Sequence, residues 1–290
     1  MHLFVQLTLN ALSLAGIYAL VAFGIQLVFG LTGLVNFAHG AMMTLAAYLL
    51  VTLLTIVHAP FLVPALVAVG LMGAVGYLSE RFLFRRTLQK PVSGFIVSLG
   101  LIVVLQNAFA KFWSPFPVIV APPLTTVWTV AGITIVAQQV LVVCLAVVTL
   151  GILFGVIRYT RFGQALRACA EDRQMAQLLG IPIVLIISGA FVIGTAVAGI
   201  AGVLLGMQVP VTPFVGSSFV IKGFTVALVG GLGSIPGAVV GALVLAGIES
   251  YASGYLPTEW TDVYAFGLMI LVLLVRPSGI LGGAAGAELH

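Results

Sequence analysis

The sequence predicts an all-α polytopic membrane protein: one integral domain of about eight membrane segments, including a Gly-rich re-entrant segment, with a cytoplasmic helix between two spans. Three observations predict it. The 290 residues are 62% hydrophobic and 6% charged, where a soluble domain carries about 25% charged residues, so too little charge is present to build a water-facing surface. The mean hydropathy is +1.28, and apolar stretches recur at lengths near the about 20 residues that cross a bilayer. The positive charges gather in a few connections, so the net charge of +4 reports orientation rather than nucleic-acid binding.

The first apolar stretch covers residues 3 to 29. It lacks a Lys/Arg-rich start and outruns signal-peptide length, so it reads as a first span and not a cleaved leader. It ends in "FGLTGLVNFAHGAM", where Gly30, Gly33 and Gly40 interrupt the helix before the stretches at 38 to 57, 61 to 79 and 93 to 112. Between the last two lies "ERFLFRRTLQKP", with Arg81, Arg85, Arg86 and Lys90, a cytoplasmic connection by the positive-inside rule. "SPFPVIVAPPLTTVW" and "PVTPFVGSS" are uncharged, Pro-rich loops suited to the outer side, and they flank stretches at 133 to 157 and 182 to 207. Cys144 lies in an apolar run and Cys169 in the polar passage, which argues against a disulfide framework.

The stretches at 219 to 249 and 261 to 275 close the chain, the latter followed by Arg276. If 182 to 207 runs outward and 261 to 275 runs inward, residues 219 to 249 must begin and end outside. Their centre, "VGGLGSIPGAVVGA", holds Gly230, Gly231, Gly233 and Gly237 beside Pro236. A re-entrant pair of half-helices fits both the parity and the composition. Counting the first break as a cytoplasmic turn puts the N-terminus outside. Small residues every fourth position, at Gly194, Ala198, Gly202 and Gly206 and again at Gly233, Gly237 and Gly241, read as helix-packing faces.

The longest polar passage is "RYTRFGQALRACAEDRQMAQLLGIP", residues 158 to 182. Its apolar and polar residues mix at helical spacing, Arg167 and Glu171 stand at i and i+4, and Gly180 before Pro182 is a stop signal. It reads as a short cytoplasmic helix whose Ala-rich face suits a partner better than water.

This passage resembles the cytoplasmic coupling loop of the branched-chain amino acid ABC importer permeases, the LivH type within the LivH/LivM family. "GIYALVAFGIQLVFGLTGLVNFAHGAM", "IKGFTVALVGGLGSIPGAVVGALVLAGIE" and "LVRPSGILG" resemble three further passages of that family, in its order. The resemblance implies a multi-pass permease in a bacterial inner membrane, paired with a second, LivM-like permease. It further implies two cytoplasmic ATPase subunits that carry the ATP, and a periplasmic substrate-binding protein. The matching coupling positions are Arg158, Thr160, Arg161, Gly163, Ala165, Arg167, Ala168, Ala170, Asp172, Ala176, Gly180 and Ile181. The resemblance implies branched-chain amino acids first as substrate, and because the chain departs from the family at Ala41, Met42 and Met43, where an acidic or polar residue is common, urea, short amides and small carboxylates stand beside them.

Other chemistry is missing from the sequence. No lysine precedes Ser or Thr as a phosphate-binding loop requires, and no His/Cys group has metal-ligand spacing. The chain is expected to bind no cofactor or metal and to be no enzyme by itself. Candidate path residues are the polar ones in or near apolar runs. Asn36 and His39 sit in the first break, with backbone satisfaction favoured over a gate. Gln106 and Asn107 read as hydrogen-bond glue between helices, and Lys222 as snorkelling to the interface. A self-contained channel or secondary transporter is the competing class. A proton- or sodium-driven carrier is disfavoured because all seven acids read as lying in loops, segment ends or the tail.

Overall fold

A computed structural model describes residues 2–57, 59–88, 90–120, 123–124, 126–130, 133–257 and 260–281. Glu259, one acid of the outer loop, and the last residue of "LVRPSGILG" lie outside the described residues.

The described chain is a helical bundle. Helix α1 spans His2–Thr32, α2 Ala38–Val57, α3 Leu62–Ser79, α4 Pro91–Phe112 and α5 Ala137–Tyr159. Two short helices follow, α6 Arg161–Glu171 and α7 Arg173–Leu178, then α8 Ile183–Gln208, α9 Val215–Gly230, α10 Ile235–Tyr255 and α11 Thr261–Val275. Among the described residues seven helices are long and apolar enough to cross a membrane, with α9 and α11 apolar but shorter. The expected stretch at 133 to 157 is not all helix. Strand β1, Val127–Val130, pairs antiparallel with β2, Ile133–Val136, and the helix starts only at Ala137. Ile133, Ile135 and Val136 are β-branched, which favours a pleated ribbon over a helical turn. A backbone bridge between Val118 and Val211, at 2.9 and 2.8 Å, ties this end of the molecule to the loop before α9.

Helices α1 and α8 form the buried centre, with α2, α3, α9 and α10 packed around them and α4 and α5 largely exposed. Glycine makes the close approaches possible. A Cβ at Gly202 would stand 2.1 Å from the Met43 carbonyl oxygen, and one at Gly76 2.6 Å from that of Phe191. Van der Waals contact between backbones is the principal attraction open to helices in lipid, and small residues permit it. Gly194 packs on Gly24 and Gly206 beside Val120 and Ala47, so the α8 face predicted from spacing is a packing face.

Residues 215–255 turn back on themselves, but not as half-helices. Helix α10 has 21 residues, about 31 Å at 1.5 Å per residue, enough to cross by itself. It lies antiparallel to α9, with Gly230 against Gly237 and Gly241 against Val226. Gly231 and Gly233 take φ of 105° and 83° in the connecting turn, a region closed to residues with a side chain. Gly233 therefore belongs to the turn and not to the packing face. Ser234 caps α10 by accepting from the Gly237 amide. The two ends of the hairpin lie on one side, as the parity demanded. Its turn meets the segment after α11, where the Ile280 and Leu281 amides donate to the Val229 and Gly230 carbonyls. This is the end of the bundle that carries Arg276.

Candidate functional site

The polar passage folds as two helices, not one. Asp172 breaks the run: its backbone is extended, and its carboxylate accepts from the Gln174 and Met175 amides at 2.8 and 3.0 Å, capping α7. Thr160 caps α6 by accepting from the Gly163 amide at 3.1 Å. Gly163 is required there, because a Cβ would meet the Ile157 carbonyl oxygen at 2.1 Å. Gly180, at φ 80°, ends α7 in a Schellman turn, with the Gly180 amide on the Gln177 carbonyl and the Ile181 amide on that of Ala176, both at 3.0 Å. Ile181 then packs on the core.

Two expectations about this segment fail. Arg167 makes no ion pair with Glu171 among the described residues; its guanidinium donates to the Ile157 carbonyl at the end of α5, where a cation meets the negative end of the helix dipole. Nor does the Ala row form the free face. Ala176 is buried with Leu166 and Cys169 in the core, and Ala165 and Ala168 are half-buried, leaving only Ala170 exposed. What faces outward is Met175, Leu178 and Leu179, at 59%, 82% and 79% exposure. Arg158, Thr160 and Arg161 are also exposed, with Arg158 lying over the Tyr159 ring. Burial pushes the Cys169 thiol up, against a smaller opposing effect of Arg173.

This segment is clamped to its neighbours. The Phe162 ring fills the space over Gly189 of α8. Nearby, fully buried Glu80 holds Arg85 by two hydrogen bonds at 2.9 and 2.6 Å, and Ser188 of α8 donates to the same carboxylate at 2.9 Å. The end of α3 is thereby tied to the start of α8.

A second charged group was missed in the sequence. Lys222 of α9 does not snorkel to the interface. Its Nζ lies 3.0 Å from Glu249 Oε1 on α10 and 3.4 Å from Asp262 Oδ1 on α11, and Tyr18 of α1 donates to Glu249 Oε2 at 2.6 Å. The Glu249 side chain is 4% exposed and that of Lys222 17%. Glu249, inside α10, thus departs from the expectation that every acid lies in a loop, a segment end or the tail, whereas Glu80 directly follows α3, as expected. Opposite charges near the two ends of one apolar stretch, Lys222 and Glu249, were the available signal.

The remaining candidates are mostly structural. The Asn36 Oδ1 accepts from the Ala38 amide at 3.1 Å at the start of α2, as favoured. His39 is buried against Gly24 and Gly40 against Gly216. Gln106 joins α4 to α9 through Ser217 at 2.7 Å, but Asn107 is exposed and bonds only to the Val103 carbonyl of its own helix, so it is no glue within this chain. Gly33 turns the chain at φ 63°, whereas Gly30 is exposed and a Cβ there would meet open space.

Residues 7–273 match the family model described as branched-chain amino acid transport system / permease component. The chain is 39% identical to the high-affinity branched-chain amino acid transport system permease protein LivH of Salmonella typhimurium, covering 96% of both chains. It is 38% identical to the corresponding protein BraD of Pseudomonas aeruginosa, again over 96% of each. Among solved structures it is similar to a chain of PsaBC from Streptococcus pneumoniae in complex with Fab, with a TM-score of 0.50 and 14% identity over 93% of this chain and 91% of that one, a likeness of fold.

Proposed function

Because the chain belongs to the family of branched-chain amino acid transport system permease components, we propose that it carries branched-chain amino acids across a bacterial inner membrane. It is a permease of an ABC importer and not itself an enzyme. In this reading it pairs with a LivM-like permease to enclose the path, receives substrate from a periplasmic binding protein, and takes its drive from ATP bound on two cytoplasmic ATPase subunits.

The single observation that carries the reading is the pair α6 and α7. It presents exposed Met175, Leu178 and Leu179 at the Arg-rich end while clamped to α5 and α8. An apolar patch of this kind on an otherwise polar segment is suited to a protein partner. Displacing such a lever would shift the bundle between two states, in proportion to the partner's preference for one of them. The test is uptake by the chain co-expressed with LivM-like permease, ATPase and binding-protein subunits and reconstituted into vesicles, using labelled leucine, isoleucine and valine beside urea, short amides and small carboxylates. ATP-dependent leucine uptake that requires the binding protein is expected. Uptake indifferent to ATP would replace the importer with a passive channel, and uptake of another solute would move the substrate.

A further inference from the structure

Helices α4 and α9 both pack on α2 and meet each other mainly through side chains, at two heights. Near the outer end Gln106 donates to the Ser217 hydroxyl at 2.7 Å. Near the Arg-rich end the ring of Phe37, in the break before α2, stands between Phe95 of α4 and Phe224 of α9, its centroid 5.7 Å from each. We propose that Phe37, Phe95 and Phe224 form the inner gate of the path, an apolar closure that parts when α4 moves away from α9. The gate rests on the importer reading, because only a permease needs a path.

The seam between α4 and α9 differs from the others in what closes it. Helix α8 meets α2 at Gly202 and α3 at Gly76, and α9 meets α10 at Gly230, each with a backbone carbonyl where a Cβ would go. Helices in such contact cannot part without losing much of their packing. No close glycine contact joins α4 to α9 among the described residues. Leu99 lies one turn beyond Phe95, and Ile221 one turn beyond Ser217, on the same helix faces. They are 42% and 41% exposed, so the middle of the seam is unfilled.

Polarity sets this seam apart from the lipid-facing sides. Outward side chains of α3 and α5, such as Leu66, Leu71, Val147 and Ile152, are apolar. Asn107 and Ser218, beside the two residues of the outer bridge, are exposed. A polar group turned to lipid forfeits the hydrogen bonds that water or a partner would give it. The outer part of the seam therefore suits a watery path, and the aromatic layer lies below it. Phe95 is about 6 Å and Phe224 about 9 Å along its helix from the Arg-rich end, at 1.5 Å per residue. An apolar constriction at that depth stops polar solutes by excluding water. Phe37 belongs to the break and not to a helix face, and its amide bond to Ser98 of α4 is long, at 3.4 Å. Withdrawing Phe95 from the Phe37 ring thus leaves α2 wound.

The test uses the assembled complex in vesicles. Phe37→Ala removes both ring pairs, so without ATP glycerol, followed by light scattering, should enter at least about fivefold faster than through wild type. Should that variant fail to assemble, Phe224→Ala, which removes one pair, serves in its place. Phe84→Ala breaks a buried ring pair with Phe191 away from the seam, and should lower melting without a leak. In a second arm, Phe95→Cys with Phe224→Cys is bridged by a short reducible bis-thiosulfonate and the linked peptides are identified by mass spectrometry. Bridging should stop ATP-driven leucine uptake, reductant should restore it, and either cysteine alone should be indifferent to the reagent. An assembled Phe37→Ala or Phe224→Ala complex that admits glycerol no faster than wild type, an equal leak in Phe84→Ala, or complete bridging that leaves uptake unchanged overturns the gate. Absence of ATP-driven leucine uptake in the unbridged complex would count against the importer reading instead, and the glycerol arm, which needs neither ATP nor leucine, still decides the gate.

Discussion

Replacing Lys222 by Met should destabilise the permease more than most single substitutions, and the loss should be rescued by a second mutation. The Lys222 ammonium stands 3.0 Å from the Glu249 carboxylate. At an effective dielectric of about 20 the Coulomb attraction at that distance is about 5 to 6 kcal/mol, much of which offsets the desolvation of both groups. Lys222→Met removes the attraction but leaves Glu249 buried with only the Tyr18 hydroxyl, a situation that costs about 3 to 5 kcal/mol. At about 2 to 4 °C per kcal/mol this is a fall in Tm of roughly 6 to 20 °C. Lys222→Met with Glu249→Gln removes both charges and keeps a partner for the Tyr18 hydroxyl, so it should recover most of the loss. Asp262→Asn is the control: its side chain is 70% exposed at 3.4 Å, and an exposed pair contributes about 0 to 1 kcal/mol. Melting of the detergent-solubilised protein, followed by loss of the monodisperse peak on size exclusion, reads all four. A double mutant that melts at or below the Lys222→Met single would refute the compensating pair.

Three further outcomes are expected. Gly163→Ala puts a methyl where the Ile157 carbonyl stands, so it should abolish ATP-driven uptake while the protein still inserts, which uptake and membrane yield together check. Leu178→Asp with Leu179→Asp, on the exposed patch, should abolish co-purification of the ATPase subunits with little change in melting, whereas Ala176→Trp should lower melting because Ala176 is buried. Cys169, buried and with its thiol pushed up, presents less reactive thiolate at neutral pH than an ordinary cysteine. Maleimide should therefore label it slowly at pH 7 and faster as pH rises toward the raised value, or at once on unfolding, as mass spectrometry of the peptide will record; rapid labelling of the native protein at pH 7 would contradict its burial.

Features that depend on spacing were legible in the sequence. The span periodicity, the sidedness of the 219 to 249 stretch, the Gly face of α8 and the stop at Gly180 all rest on local chemistry that a few consecutive residues determine. Partner choice across the fold was not. Arg167 has Glu171 one turn away, yet the carbonyl of Ile157 lies closer once Gly163 lets α6 fold against α5. Lys222 could be placed at the interface only while its stretch was read as a re-entrant pair of half-helices. The full length of α10 puts Glu249 inside a helix, and only the meeting of α1, α9, α10 and α11 supplies its partners. The apolar face of α6 and α7 was assigned by composition, and tertiary packing reassigned it from alanines to Met175, Leu178 and Leu179.

The clamps around α6 bear on how a push would divide. On one side the segment is fastened to α5, which has few neighbours and borders largely on its surroundings; on the other it is fastened to α8, which is wedged among α1, α2 and α3 by glycine contacts with no slack. Equal force on a loose member and a braced one produces unequal travel. Were α6 pushed by a partner, α5 and the ribbon joined to its N-terminal end would be expected to travel further than α8.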